Sequence, residues 1–246
     1  MKIMKVENYQ NMSEKGAQFI LEKLINREVN VLGLATGGTP VGLYEHLIKK
    51  IHNKGLSLSH LHTVNLDEYI GLAADDPNSY HQYMEDVLFK HIDIPSNNAH
   101  LPHGDAENVT YECERYEQLI HQLGGVDLQL LGIGNNGHIG FNEPGSPFDG
   151  RTMVVDLAPS TIEANGRYFK DPNNVPRQAI TMGIKTIMDS KSILLLASGV
   201  EKAEAIKELI EGEVSEKTPA TVLQKHPNIT IIADEEALSL VNKTIV

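Results

Sequence analysis

Short apolar runs recur along this chain, and each is followed by a segment whose apolar residues return every three to four positions. Residues 29–34, 126–133, 191–197 and 229–233 read as buried strands. Ala17, Ile20, Leu21 and Leu24 form the buried stripe of a helix opened by Asn11 and Glu14 as a capping pair. Leu43, Leu47, Ile48 and Ile51 mark a second helix, with Thr39 as its N-cap and Pro40 as its first residue. Further strands are expected near 1–6, 62–66, 152–156 and 178–182. Further helices are expected near 79–91 and 107–123, from the capping pairs Ser160/Glu163 and Ser198/Glu201, and at 219–224 and 234–241. Strands alternating with helices predict an α/β fold around a mainly parallel sheet, because a parallel neighbour is reached only through a crossover. No Pro/Gly-rich linker divides the chain, so one domain over 1–246 is expected.

Composition narrows the functional classes. The 246 residues are 41% apolar and 22% charged, an ordinary globular balance with a net charge of −12. That charge repels nucleic acid and anionic membranes, so neither is expected as a partner, and an anionic substrate needs a local site. Cys113 is the only cysteine, which suits a reducing cytoplasm and reads as a small packed hydrophobe. The first ten residues lack the apolar stretch of a secretion leader, and no apolar run reaches the ~20 residues of a membrane span. No metal-ligand spacing occurs, so neither metal nor cofactor is expected. Nothing in the sequence fixes an oligomeric state.

The chemistry-bearing residues gather where strands end. Residues 130–144 read Leu-Leu-Gly-Ile-Gly-Asn-Asn-Gly-His-Ile-Gly-Phe-Asn-Glu-Pro and place His138 and Glu143 in a glycine-rich loop at a strand's carboxyl end, where ligands of parallel sheets bind. Gly132, Gly134 and Gly137 also spell a dinucleotide fingerprint. That motif needs a helix at its third glycine, and Gly140, Pro144, Gly145 and Pro147 forbid one. Thr36-Gly37-Gly38-Thr39-Pro40 fits either a phosphate cradle or a plain turn with a cap. Asp67, at the next strand end, is a general-base candidate, although Asp67 or Glu68 could equally cap a turn. His81 and His91 read as helix-surface residues. Residues 150–177 are the least regular stretch, as expected of an active-site lid. Arg167 is either a phosphate clamp or a charge suited to a helix end. Lys202 opposes the dipole in a helix's first turn unless an anion lies near. No Ser, Cys or Lys nucleophile has an evident base, which favours proton transfer on a phosphorylated small molecule over covalent catalysis.

Leu34-Ala-Thr-Gly-Gly-Thr-Pro40, Val64-Asn-Leu-Asp-Glu-Tyr69, residues 131–144, Asn165-Gly-Arg-Tyr168 and Ser198-Gly-Val-Glu-Lys-Ala203 together resemble the glucosamine-6-phosphate deaminase family over nearly the whole chain. The resemblance implies a Rossmann-like three-layer sandwich, shared with sugar-phosphate isomerases and 6-phosphogluconolactonases. It implies conversion of glucosamine 6-phosphate to fructose 6-phosphate and ammonium, with a hexosamine 6-phosphate as the small-molecule partner. By that resemblance Asp67 is the base that moves a proton from C2 to C1 through an enolamine, and His138 and Glu143 open the pyranose ring. Thr36, Gly37, Gly38, Thr39, Arg167 and Lys202 match substrate-binding positions. The chain departs from many relatives at Asn136, where they carry Asp. Asn cannot act as a base, so it is expected to tune the catalytic site by hydrogen bonding. The chain also ends soon after its last helix, which puts tail-based allostery in doubt. A lactone esterase and a galactosamine-6-phosphate deaminase stay open as alternatives.

Overall fold

In a computed structural model describing residues 1–166, 169, 171 and 174–242, the chain forms two sheets. The larger has seven strands: β1 (Lys2–Val6), β2 (Val31–Leu34), β3 (His62–Asn65), β5 (Ala99–His100), β6 (Leu128–Leu131), β9 (Ile193–Ala197) and β10 (Ile229–Asp234). Their order is β1-β10-β9-β6-β2-β3-β5, and every pairing is parallel. This is the Rossmann-like α/β class. β2, β6, β9 and β10 are buried at every position, as a parallel sheet covered on both faces requires. Leu130, Leu194, Leu195 and Ile231 are wholly buried, each contributing about 1.5–3 kcal/mol.

The crossovers are made by helices α1 (Tyr9–Ile25), α2 (Val41–Lys54), α3 (Tyr80–Val87), α4 (Val109–Gln122), α5 (Pro159–Gly166), α6 (Ile184–Met188) and α7 (Ala203–Glu211). From β2 the chain works outward to β3 and β5. It then returns to the other side of β2 at β6 and continues to β9 and β10. The order therefore reverses between β2 and β6. The loops leaving these two strands diverge there and open a crevice.

The second sheet was not expected. It is antiparallel, in the order β4 (Asp67–Tyr69), β8 (Gln178–Thr181), β7 (Met153–Asp156). The chain leaves the parallel sheet at Leu66, whose N–H still donates to Leu34 and whose carbonyl accepts from Met182. Asp67 then pairs with Thr181. Asp67 thus stands at the seam between the sheets, just past the end of β3 as expected but opening a strand of its own. A small cluster of Tyr69, Phe141, Leu157, Phe169, Val175 and Ala179 packs beneath this seam.

Several helix starts differ from expectation. α1 is capped by Asn8, whose side chain accepts from Asn11 N–H, three residues before the expected cap. The earlier start lets Met12 join the core with Ala17 and Ile20. α2 begins at Val41 with no side-chain cap, so Thr39 is not its N-cap. The Tyr9 hydroxyl instead accepts from Gly42 N–H. α5 starts at Pro159, which places Ser160 inside the helix rather than at its cap. At 198–202, Asp234 takes both the Ser198 hydroxyl and the Gly199 N–H, so Ser198 does not cap. A 3-10 turn (Val200–Lys202) precedes α7. Pro219–Lys225 is likewise 3-10. Residues 235–240 form turns where a helix was expected, because Asp234 accepts from Ala237 N–H and holds the chain close to β10.

Candidate active site

The loops after β2 and β6 line a crevice of about 570 Å³, within the usual range for small-molecule sites. Thr36, Gly37, Gly38 and Thr39 come from the first loop, Asp67 from β4, Asn136 and His138 from the second loop, and Lys202 from the turn before α7. The expected catalytic and binding positions therefore meet at one rim of the sheet. Arg167 lies outside the described residues. Glu143 is not on the lining among the described residues, but bonds to Asn136 and Thr161, which are.

Two tyrosines pin the first loop. The Tyr9 hydroxyl donates to Gly38 O at 3.2 Å and the Tyr83 hydroxyl to Gly37 O at 2.6 Å. Both carbonyls are thereby engaged away from the crevice, at the N-terminal end of α2, where the helix dipole favours an anion. Opposite, Lys202 Nζ donates to Asn135 Oδ1 at 2.6 Å, with both residues on the lining.

The second loop folds back on itself. Gly134 N–H donates to His138 O, and Gly137 N–H to Gly134 O. A Cβ on Gly134 would fall 2.3–2.5 Å from the His138 ring, so only glycine lets the imidazole lie against this backbone. His138 Nδ1 is 3.4 Å from Glu143 Oε2, an ion-pair separation too long for a good hydrogen bond. Asn136 joins the two: its Oδ1 accepts from His138 N–H at 3.2 Å, and its Nδ2 donates to Glu143 Oε2 at 2.7 Å. An N–H on one side and a carboxylate on the other fix which way the amide points. Asn136 thus braces the backbone of His138 and the carboxylate of Glu143, not the imidazole ring. Thr161, on α5, donates to Glu143 Oε1. Burial alone would raise the Glu143 carboxyl. His138, Thr161 and Asn136 outweigh it and hold the group at about 2. Asn142, in the same loop, is fully buried and donates to Ile139 O and Met182 O, so it holds the loop to the chain leaving β8 instead of facing the crevice.

Asp67 is the opposite case. Its carboxyl is almost fully buried, and burial, then the neighbouring Glu68, raise it from 3.8 to about 7 against one weak 3.5 Å bond from Thr36. A carboxyl poised there can take and return a proton near neutrality. Glu68 does the capping that was open to either residue: it accepts from the N–H groups of Tyr69, Tyr80 and His81. His81 is therefore no surface decoration, since its Nδ1 lies 2.9 Å from Glu68 Oε2. Sequence reasoning missed Tyr80, Phe141 and Thr161 on the lining. Phe141 lay inside the quoted motif, whereas Tyr80 and Thr161 carry no local signal.

Fold and site define a Rossmann-like α/β protein whose ligand crevice sits at the strand-order reversal, with an acid and an imidazole over a helix N-terminus. Residues 5–232 match the family of glucosamine-6-phosphate isomerases/6-phosphogluconolactonase, and the chain belongs to it. It is 56% identical to the glucosamine-6-phosphate deaminase of Shouchella clausii, over 98% of this chain and 97% of that one. It is 51% identical to glucosamine-6-phosphate deaminase 1 of Bacillus subtilis, over 98% and 99%. A solved monomeric glucosamine-6-phosphate deaminase superposes with a TM-score of 0.95 at 51% identity, covering 98% of this chain and 100% of that one. The 6-phosphogluconolactonase of Trypanosoma cruzi superposes at 0.79 with 20% identity over 98% and 97%, a likeness of fold alone.

Proposed function

We propose that this chain is a glucosamine-6-phosphate deaminase, releasing fructose 6-phosphate and ammonium. The observation that carries the reading is the buried Asp67 carboxyl, raised to about 7, on the same crevice wall system as His138. Relatives of that name, more than half identical along nearly the whole chain, support it.

In this reading Gly37, Gly38, Thr39 and Lys202 hold the phosphate, with Arg167 added by the family resemblance. Thr36 steadies Asp67. His138 takes the proton of the anomeric hydroxyl and returns one to the ring oxygen as that C–O bond breaks, while Glu143 carries the compensating charge and Asn136 keeps both in place. Asp67 then removes the proton on C2. The electron pair forms the C1–C2 double bond of an enolamine, and the aldehyde oxygen gains a proton from the substrate's own C2 ammonium group. The protonated Asp67 returns its proton to C1, leaving an iminium at C2. Water adds there and ammonium departs. The lid assigned to 150–177 in this scheme includes residues 167, 168, 170, 172 and 173, which lie outside the described residues, and the chain works as a single catalytic unit in the cytoplasm. The described residues contain no helix long and apolar enough to cross a membrane.

Ammonium release from glucosamine 6-phosphate, assayed for wild type and Asp67→Asn, tests the reading. The variant should lose about 10²–10⁴-fold in kcat with little change in KM. It should also lose deuterium exchange from solvent into the product. Turnover within a few-fold of wild type would refute Asp67 as the base.

A further inference from the structure

Asp67 and Glu68 are consecutive residues of β4, so their side chains leave the strand on opposite sides. Asp67 faces the crevice. Glu68 is fully buried behind it and lies off the crevice lining. Glu68 Oε1 accepts from the N–H groups of Tyr69 at 2.8 Å and Tyr80 at 2.9 Å. Oε2 accepts from His81 N–H at 3.0 Å and lies 2.9 Å from His81 Nδ1. The Tyr80 and His81 amides are the first two of α3, groups with no partner inside the helix. On the far side Gly104 closes the pocket. A Cβ there would fall 2.0 Å from Tyr69 O and 3.1 Å from Glu68 Cγ.

Capping alone does not explain this arrangement. α3 already has Ser79, whose side chain accepts from Gln82 N–H, and α1 and α4 manage with single asparagines at Asn8 and Asn108. A buried carboxylate sent in from another strand costs desolvation that a hydroxyl or amide cap avoids. What the carboxylate adds is charge, one residue from Asp67.

We propose that Glu68 is a positioning residue for Asp67: it locks the strand bearing the base to the first turn of α3 and places a second carboxylate at its back, with His81 as the partner that moderates this charge. The inference rests on Asp67 being the base. The titratable groups facing the pair come from two elements, α3 and α4. Tyr80 on α3 and Tyr116 on α4 both act on Asp67, and burial raises both phenols well above their ordinary range, so they stay neutral in the working range. His81 on α3 faces Glu68, and its ring stacks 6.0 Å from His103, whose N–H goes to Glu112. Thr36 offers Asp67 only a hydroxyl.

The test is the pH profile of kcat/KM for ammonium release from glucosamine 6-phosphate, measured on wild type, Glu68→Gln, His81→Asn and Asp67→Asn, with thermal melts to confirm folding. Glu68→Gln removes the charge at Asp67's back. Its acid limb should move down by about one pH unit, with KM changed less than about threefold. His81→Asn keeps an N–H donor at the position of Nδ1 but removes the imidazole 2.9 Å from Glu68 Oε2, which sets a positive charge against that carboxylate when protonated. Its acid limb should move up by roughly half a unit. A role in folding alone lowers rate or melting temperature without moving the limb, and opposite displacements are the signature of charge. A folded Glu68→Gln enzyme whose limb coincides with wild type overturns the inference. Where Glu68→Gln does not fold, a limb unmoved or lowered in His81→Asn overturns it instead. Near-normal turnover by Asp67→Asn would sink the base itself, whereas an inactive Asp67→Asn beside unmoved limbs sinks only the role given to Glu68.

Discussion

Asn136→Asp tests the brace between His138 and Glu143. In wild type the amide Nδ2 donates to Glu143 Oε2 at 2.7 Å. The substitution puts a carboxylate oxygen in that place, while the other oxygen keeps the bond from His138 N–H. Two ionised carboxylates at this separation repel by about 6 kcal/mol at an effective dielectric of about 20. The cheaper solution is a proton on residue 136, which restores a donor to Glu143. At pH 7.5 that proton costs about 5 kcal/mol against an ordinary aspartate near ~3.9. Partial separation of the two groups lowers the figure, so a loss of about 3–5 kcal/mol is expected. The folded variant then holds a proton that its unfolded chain does not. Its deficit should therefore grow with pH by about 1.4 kcal/mol per unit and shrink below about 1 kcal/mol at pH 4.5. Urea denaturation of both proteins at pH 4.5, 6 and 7.5 reads this slope directly. A deficit that is the same at all three, or none at pH 7.5, would refute the brace.

Asp67→Asn should be more stable than wild type at pH 8 and equal to it near pH 3. The wild-type carboxyl is raised from 3.8 to about 7 in the fold, so stability is lost as pH rises through that window, by up to about 4 kcal/mol. Matched denaturant curves check this, and a variant less stable at pH 8 contradicts the burial argument. Thr161→Val removes one of the two hydrogen-bond donors to Glu143. The carboxyl, held at about 2, should rise, so the stability it contributes above its ordinary 4.5 is partly lost and its acid fall-off is complete at a higher pH, for a cost of about 1–2 kcal/mol. Equilibrium unfolding from pH 3 to 7 measures it. Cys113 is buried on α4, and burial together with Glu112 pushes its thiol to about 11. A disulfide reagent at pH 8 should therefore label it only after unfolding, and rapid labelling of the native protein would show that α4 opens.

What the sequence disclosed follows from where its signals are local. A buried parallel strand, its exit loop and the next helix's stripe fall within some twenty residues, so the crevice residues Thr36–Thr39, Asp67, Asn136 and His138 could be placed on strand ends before any contact was known. Two strands of the second sheet, near 152–156 and 178–182, were legible as strands, but nothing local separates them from the parallel sheet or pairs them with β4. β4, β7 and β8 are three or four residues each, and Asp67 meets Thr181 across 114 positions of sequence, a pairing that only tertiary packing selects. Missing that sheet had one specific consequence. With Asp67 and Glu68 placed at the end of the 62–66 strand, base and cap are rival readings of two adjacent carboxylates. A strand has a period of two, so it turns one carboxylate to the crevice and the other to α3. The two readings then no longer compete. The Asp67 carboxyl is raised in part by the neighbour that caps the helix, and this dependence is invisible until β4 is known to be a strand.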